Sequence, residues 1–198
     1  MLSNKKTVHL FDCDGVILNS NSLKIDALKL ALMSVGSSDE FIDWAIEEFR
    51  LNFGRSRLEH FQTFENNNNS SKAFFTSEMS QRSLDLYAKK VQALYLECEI
   101  IKETYQYLRN LPADHSVFVV SASDEAELKS ILPARMSFID PVNIYGGPTE
   151  KSTNIRKILE FNDSEKTVMY GDSVKDGEAA IANNINFRSP KEKPFFSR

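Results

Sequence analysis

The 198-residue chain reads as an α/β protein in which a parallel sheet flanked by helices is interrupted by a helical insertion. Three observations carry that reading. Strands of the buried type alternate with helical segments through the second half, which implies parallel pairing through helical crossovers. One apolar strand stands alone near the N-terminus, at residues 7–11. Between it and the next strand, residues 18–97 carry helical periodicity and no strand signal.

Residues 7–11 (TVHLF) are apolar and partly β-branched, and an Asp-Gly turn signal follows them. Residues 22–35 place Leu23, Ala27, Leu30, Ala31 and Ser34 at helical spacing. Residues 41–53 carry Phe41, Ile42, Ala45, Ile46, Phe49 and Phe53 as an apolar stripe of helical period. A short helix over 57–64 precedes a polar, low-complexity loop at 65–72 (ENNNNSSK). Leu84, Tyr87, Val91, Leu94 and Tyr95 mark a long helix over 80–98, and 102–111 form another, stopped by Pro112. Residues 116–120 (SVFVV) are a fully buried strand. The helix over 124–132 ends at Pro133, with Ser123 as its N-cap candidate. Phe138 and Ile139 are one candidate for a short strand, and 142–145 are the better one. A helix over 150–161, a strand over 167–170, a helix over 174–184 and an edge strand over 185–187 complete the chain.

Composition narrows the function classes. Apolar residues make up 41% and charged residues 26%, ordinary for a globular domain, and the net charge of −4 gives no basic footprint for nucleic acid. No apolar run approaches the ~20 residues of a membrane span, and the N-terminus lacks a signal-peptide core. The expectation is a cytoplasmic protein, monomer or homodimer, with neither nucleic-acid nor membrane partners. Cys13 and Cys98 are too few for a disulfide framework. Cys13, between two carboxylates, is a poor nucleophile because its thiolate is disfavoured there.

Ligands of such sheets bind beyond the carboxyl ends of the strands. Asp12 and Asp14 follow the first strand, Ser121, Ala122 and Ser123 the second, and Gly171, Asp172 and Ser173 the strand at 167–170. Lys151 opens one late helix and Asp176 lies in the first turn of another. Residues two apart on extended chain point the same way, so Asp12 and Asp14 are presented together. Close carboxylates cannot both stay ionised cheaply unless a cation joins them or one takes a proton. An oxygen-only donor set without clustered His or Cys suits a hard cation, Mg2+ above all.

These residues carry a family resemblance. Asp12-Cys13-Asp14-Gly15-Val16 resembles the DxDG[TV] motif of the haloacid dehalogenase superfamily of aspartate-nucleophile phosphohydrolases. Val119-Val120-Ser121 is similar to its second motif, Lys151 to its third, and Gly171 through Asp176 to its fourth, GDxxxD. The motifs occur in order at strand ends, so the resemblance spans the core. It implies a Rossmann-like core over 1–17 and 98–198 with a helical cap over 18–97, like the phosphoglycolate-phosphatase and β-phosphoglucomutase branch. It also implies that Asp12 attacks phosphorus and Asp14 serves as acid and base. Ser121, Ala122 and Lys151 would bind the phosphoryl group. Mg2+ would be held by Asp12, Asp14 through its carbonyl, and Asp172, with Asp176 supporting the metal's waters or orienting Lys151. The implied activity is Mg2+-dependent hydrolysis of a small phosphorylated metabolite, a sugar phosphate or organic acid phosphate, through an aspartyl-phosphate. A phosphosugar mutase and a catalytically silent binding protein are the alternatives.

Each residue also has a plainer role. Asp with Gly makes turns, Ser121 through Asp124 are rich in capping residues, and Asp favours helix N-termini. In the insertion, Gly54, Arg55 and Arg57 fall in a loop of the kind related caps turn toward substrate, with solvated arginines as the plain alternative. Lys24 has no motif context as a Schiff-base lysine, and His60 is expected to pack or face solvent. The linkers near 18–22 and 97–102 are natural hinges.

Overall fold

The structure, a computed structural model, describes residues 6–67 and 75–190. Five parallel strands, β1 (Val8–Phe11), β2 (Ser116–Asp124), β3 (Ile144–Gly147), β4 (Thr167–Tyr170) and β5 (Asn186–Arg188), form one sheet in the order β3-β2-β1-β4-β5. The order reverses at β1, where Phe11 is in register with Val119 on one side and Tyr170 on the other. That register sets the residues following β1 and β4 beside the last residues of β2, Ser121 among them, at the switch point where α/β sheets bind ligands.

Alternation along β1 supplies both layers. Val8 and Leu10 pack with Val120, Met169, Ile155, Ile158 and Ala180, against α7 (Lys151–Leu159) and α8 (Val174–Ala182). Phe11 faces the other way, into the cluster that holds Val119, Tyr170, Leu128 and Ile131, against α6 (Glu125–Arg135). α5 (Lys102–Arg109) leads into β2.

The insertion consists of α1 (Asn21–Ser34), α2 (Asp39–Leu51), α3 (Arg57–Asn66) and α4 (Ser77–Glu97), a helical cap. Phe41, Phe49, Phe61, Phe64, Phe75 and Tyr87 are buried among these helices, so the phenylalanine-rich stretch is cap core. The two linkers pair with each other: Asn19 N–H donates to the Glu99 carbonyl at 2.8 Å and Ile101 N–H to the Ile17 carbonyl at 2.9 Å. Among the described residues no helix is long and apolar enough to cross a membrane.

Several boundaries depart from the sequence reading. Pro133 lies inside α6 and does not end it. The last turn persists because Met136 N–H donates to the Leu132 carbonyl and Arg135 donates to the carbonyls of Tyr95 and Cys98 at 2.7 and 2.5 Å. These bonds offset the donor that proline lacks. β2 runs on through Asp124, past the β-branched residues, and its register with β3 shifts between Val120 and Asp124. The N-cap of α6 is therefore Asp124, whose side chain accepts from Glu127 N–H at 3.0 Å, and not Ser123. Phe138 and Ile139 form a turn and no strand. α3 takes in Glu65 and Asn66, expected as loop, while 68–72 lie outside the described residues.

Candidate active site

Asp12 follows β1 and is 4% exposed. Its Oδ1 lies 2.9 Å from Lys151 Nζ, and that ammonium also meets Asp176 Oδ1 at 2.5 Å. Oxygens of Asp12, Asp172 and Asp176 lie within 4.8 Å of one another. Asp176 has two tasks. Its Oδ2 accepts from the N–H and hydroxyl of Ser173, closing the capping box of α8, while its Oδ1 holds Lys151. The helix-cap and functional readings of Asp176 thus coexist. Asn21 Nδ2 donates to Asp172 Oδ2 at 2.8 Å. Gly15, with φ +75°, leaves room there: a β-carbon on it would collide with the Asp172 carboxylate.

The electrostatics ask for a cation. Burial, reinforced by Asp176, pushes the Asp12 carboxyl up to about 8 even with Lys151 opposing. Burial and Asp176 likewise raise Asp172. The buried Asp12 Oδ1 meets one cation, the ammonium that it shares with Asp176. Three clustered carboxylates facing the single ammonium of Lys151 fit a hard divalent ion of the Mg2+ type.

Asp14 has a different environment, and its carboxylate stands outside that cluster. It accepts from Ser20 Oγ at 2.6 Å, Ser123 Oγ at 2.7 Å, Tyr95 OH at 2.9 Å and Lys24 Nζ at 2.9 Å. Burial alone would raise its pKa, but the Lys24 charge and these donors outweigh it and hold the carboxyl at about 2. Lys24 is held cationic in turn: burial disfavours its charge, and Asp14 more than reverses that. A lysine so charged cannot form a Schiff base, which needs the free amine. Ser20 sits at the N-cap position of α1 without making the cap bond, because its hydroxyl is engaged by Asp14. Burial with Asp14 and Asp12 pushes the Cys13 thiol far up, so it stays protonated.

One small cavity of about 20 Å³ is lined by Asp12, Asp14, Ser121, Ala122, Lys151 and Asp172 from the core. The cap closes it with Lys24, Phe49, Phe53, Gly54, Arg55 and His60. Gly54, φ +94°, brings the cap loop so near that a β-carbon would stand 2.5 Å from Ser173 Oγ. Arg55 lines the cavity but pairs with Glu48 at 3.1 Å. Arg57 lines an adjoining cavity and grips Glu127 of α6 through both terminal nitrogens, at 2.8 and 2.5 Å. The two arginines thus already have acidic partners, one within the cap and one across the cap–core boundary.

The sequence reading missed Ser20, Asn21, Lys24, Tyr95 and Ser123 as site residues. The signal for Ser20, Asn21 and Lys24 was their closeness to Asp14 along the chain. Tyr95 lies 81 residues away, and only packing brings it in.

A family model described as haloacid dehalogenase-like hydrolase matches residues 7–184. A search of curated proteins gives no match. Among solved structures, CbbY from Rhodobacter sphaeroides in complex with phosphate is 15% identical, with a TM-score of 0.70 over 93% of this chain and 85% of that one. A Bacteroides vulgatus protein assigned as a β-phosphoglucomutase is 14% identical, with a TM-score of 0.73 over 95% of this chain and 76% of its own. A phosphoglycolate phosphatase, so assigned, from Haemophilus somnus is 15% identical, with a TM-score of 0.72 over 94% and 85%. At these identities the likeness is one of fold.

Proposed function

Because the chain belongs to the haloacid dehalogenase-like hydrolase family, we propose that it is a Mg2+-dependent phosphatase that hydrolyses a small phosphorylated metabolite through an aspartyl-phosphate on Asp12. The observation that carries this is the meeting of Asp12, Lys151, Asp172 and Ser121 in one cavity at the switch point of the sheet. Names among the structural neighbours point the same way, to phosphate binding and phosphoglycolate phosphatase activity.

In the proposed reaction an Asp12 carboxylate oxygen attacks phosphorus and the bond from phosphorus to the ester oxygen breaks. Asp14 gives a proton to the departing oxygen. Water then attacks the aspartyl-phosphate, Asp14 takes its proton, and the bond from phosphorus to Asp12 breaks, releasing phosphate. Asp14 is ionised beside Lys24, the form the second step needs, and it must take up a proton before the first. Lys151 offsets the repulsion between an anionic nucleophile and an anionic ester, and Ser121 with the Ala122 amide receives phosphoryl oxygens. Asp12, Asp172 and the Asp14 carbonyl would hold Mg2+, which supplies charge neutralisation at the phosphoryl oxygens, and Asp176 would act behind them through Lys151.

We take residues 18–97 as the cap and 1–17 with 98–198 as the core, a division supported by the paired linkers. The cavity of about 20 Å³ over Asp12 has room for about one water, and it adjoins a cavity of about 460 Å³ through Gly54, Arg55, Ala122 and Lys151, so the body of an ester would lie in the wider space or enter as cap and core separate. The test is Asp12→Asn with Mg2+ and a panel of sugar and organic acid phosphates. Phosphate release should vanish while the fold persists; undiminished release would rule Asp12 out as the nucleophile. Isomerised product with no free phosphate from the unaltered chain would indicate a mutase.

A further inference from the structure

His60 is the least expected residue of the cap. It stands on α3, is 1% exposed, and its Nδ1 is buried without a hydrogen-bond partner. A buried, unsatisfied ring nitrogen costs about 1–3 kcal/mol. Packing accounts for the ring faces, which meet Phe49 and Phe64 with centroids 4.3 and 6.3 Å apart, and not for the nitrogen. Its surroundings are otherwise those of a binding wall. It lines the cavity above Asp12 and Asp14 and also the adjoining cavity of about 20 Å³. The residues common to both are Lys24, Phe49, Arg55, His60, Ala122 and Ser123.

We propose that His60 is a specificity residue whose Nδ1 hydrogen-bonds an oxygen on the non-phosphoryl part of the substrate, a hydroxyl or carboxylate close to the ester. This deepens the phosphatase reading and rests on it. His60 shares one cavity with Asp14, Lys151 and Ser121 and also lines the adjoining one, which Lys151 and Ser121 do not reach. Arg55 and Arg57 are less suited, since Glu48 and Glu127 already occupy them. Burial, with the nearby charges of Lys24 and Arg55, holds the imidazole down at about 3, so it is neutral at pH 7. A neutral imidazole accepts from a hydroxyl or donates to a carboxylate, according to tautomer. Such a site disfavours an ester with no oxygen to offer, because an apolar leaving group leaves Nδ1 unpaired.

Three two-carbon esters isolate the contact: ethyl phosphate, 2-hydroxyethyl phosphate and phosphoglycolate, which differ only at the terminal group. The unaltered chain should favour one polar ester over ethyl phosphate in kcat/KM. His60→Phe, which keeps a ring in the site, should reduce that ratio tenfold or more, and His60→Asn should recover part of it. A ratio unchanged in a folded His60→Phe overturns the inference. The second measurement needs no His60 variant to fold and no turnover. The chain has three histidines, so their imidazole 15N signals can be followed in Asp12→Asn as each ester is added with Mg2+. The His60 signals should move on binding of the polar ester. Binding that leaves them in place overturns the inference, and His60→Phe with no change in the ratio agrees with that result. If no ester is hydrolysed by the unaltered chain yet His60 responds, the phosphatase reading fails and this one stands; hydrolysis with a silent His60 is the reverse.

Discussion

Replacing Lys24 with methionine tests the charge balance at Asp14. Methionine keeps the length of the side chain and removes the ammonium that lies 2.9 Å from Asp14 Oδ2, 3.1 Å from Ser123 Oγ and 3.2 Å from Tyr95 OH. In the intact site Asp14 is held at about 2 against an ordinary 3.8. At 1.36 kcal/mol per pKa unit, that gap is about 2.5 kcal/mol of preference for the carboxylate. Without Lys24, burial becomes the dominant influence and the pKa rises above the ordinary value. The loss of stability at pH 7 should therefore be about 3 kcal/mol, at the lower end of the range for stripping one partner from a buried pair. Three hydroxyls still donate to Asp14, from Ser20, Tyr95 and Ser123, which is why the upper end is not reached. The pH dependence has a definite sign. In the variant the folded chain binds a proton at Asp14 more readily than the unfolded chain, so its stability rises as pH falls through the new pKa. In the unaltered chain the folded pKa is depressed, so the contribution is complete above about pH 4 and is lost only toward pH 2. Urea unfolding of both proteins at pH 7 and pH 5 should show the difference between them shrinking at pH 5. A difference that is constant or grows would mean that Lys24 supports packing and that Asp14 carries no such electrostatic load.

Mg2+ should raise the melting temperature of the unaltered chain, by the equivalent of about 2.7 kcal/mol at one hundred times its Kd. Asp172→Asn should abolish the rise, and chelation should remove phosphate release; full turnover after exhaustive chelation would exclude the metal. The Arg57–Glu127 pair joins cap to core, so Arg57→Ala and Glu127→Ala should each destabilise by about 2 kcal/mol. A double-mutant cycle should give a coupling of about 1–2 kcal/mol, and strictly additive losses would mean the two do not pair in solution.

The strands and the strand-end chemistry were legible because both follow local rules. The apolar run before Asp12 predicts β1, and the Gly-Asp pair after residues 167–170 marks the end of β4, a span the structure reproduces. Elements whose limits depend on distant contacts were not. α6 outlasts Pro133 because Arg135 is anchored on the carbonyls of Tyr95 and Cys98. β2 outlasts its β-branched residues where Ser123 turns its hydroxyl to Asp14. The same distinction holds in the site. Asp12, Lys151 and Asp172 announce themselves by residue type and place, whereas the Lys24, Tyr95 and Ser123 cage exists only once α1, α4 and β2 have packed together. Arg55 and Arg57 were legible as charge near the site, but their partners Glu48 and Glu127 were not, because Glu127 is 70 residues from Arg57 along the chain.

The cage has a consequence for how the cap relates to the chemistry. Lys24 comes from α1 and Tyr95 from α4, the first and last helices of the insertion, whereas Asp14 and Ser123 follow β1 and lie in β2. Ser20 belongs to the linker between the two. Two of the groups that keep Asp14 ionised therefore travel with the cap. The paired linkers at Asn19 and Ile101 confine that travel, since they keep both chain crossings side by side. The cavity of about 20 Å³ over Asp12 adjoins a wider one of about 460 Å³, and Gly54, Arg55, Ala122 and Lys151 line both. Separation of cap and core would take the Lys24 and Tyr95 contacts away from Asp14 and closure would restore them, so the position of the cap is coupled to the hydrogen bonding of the aspartate proposed as acid and base.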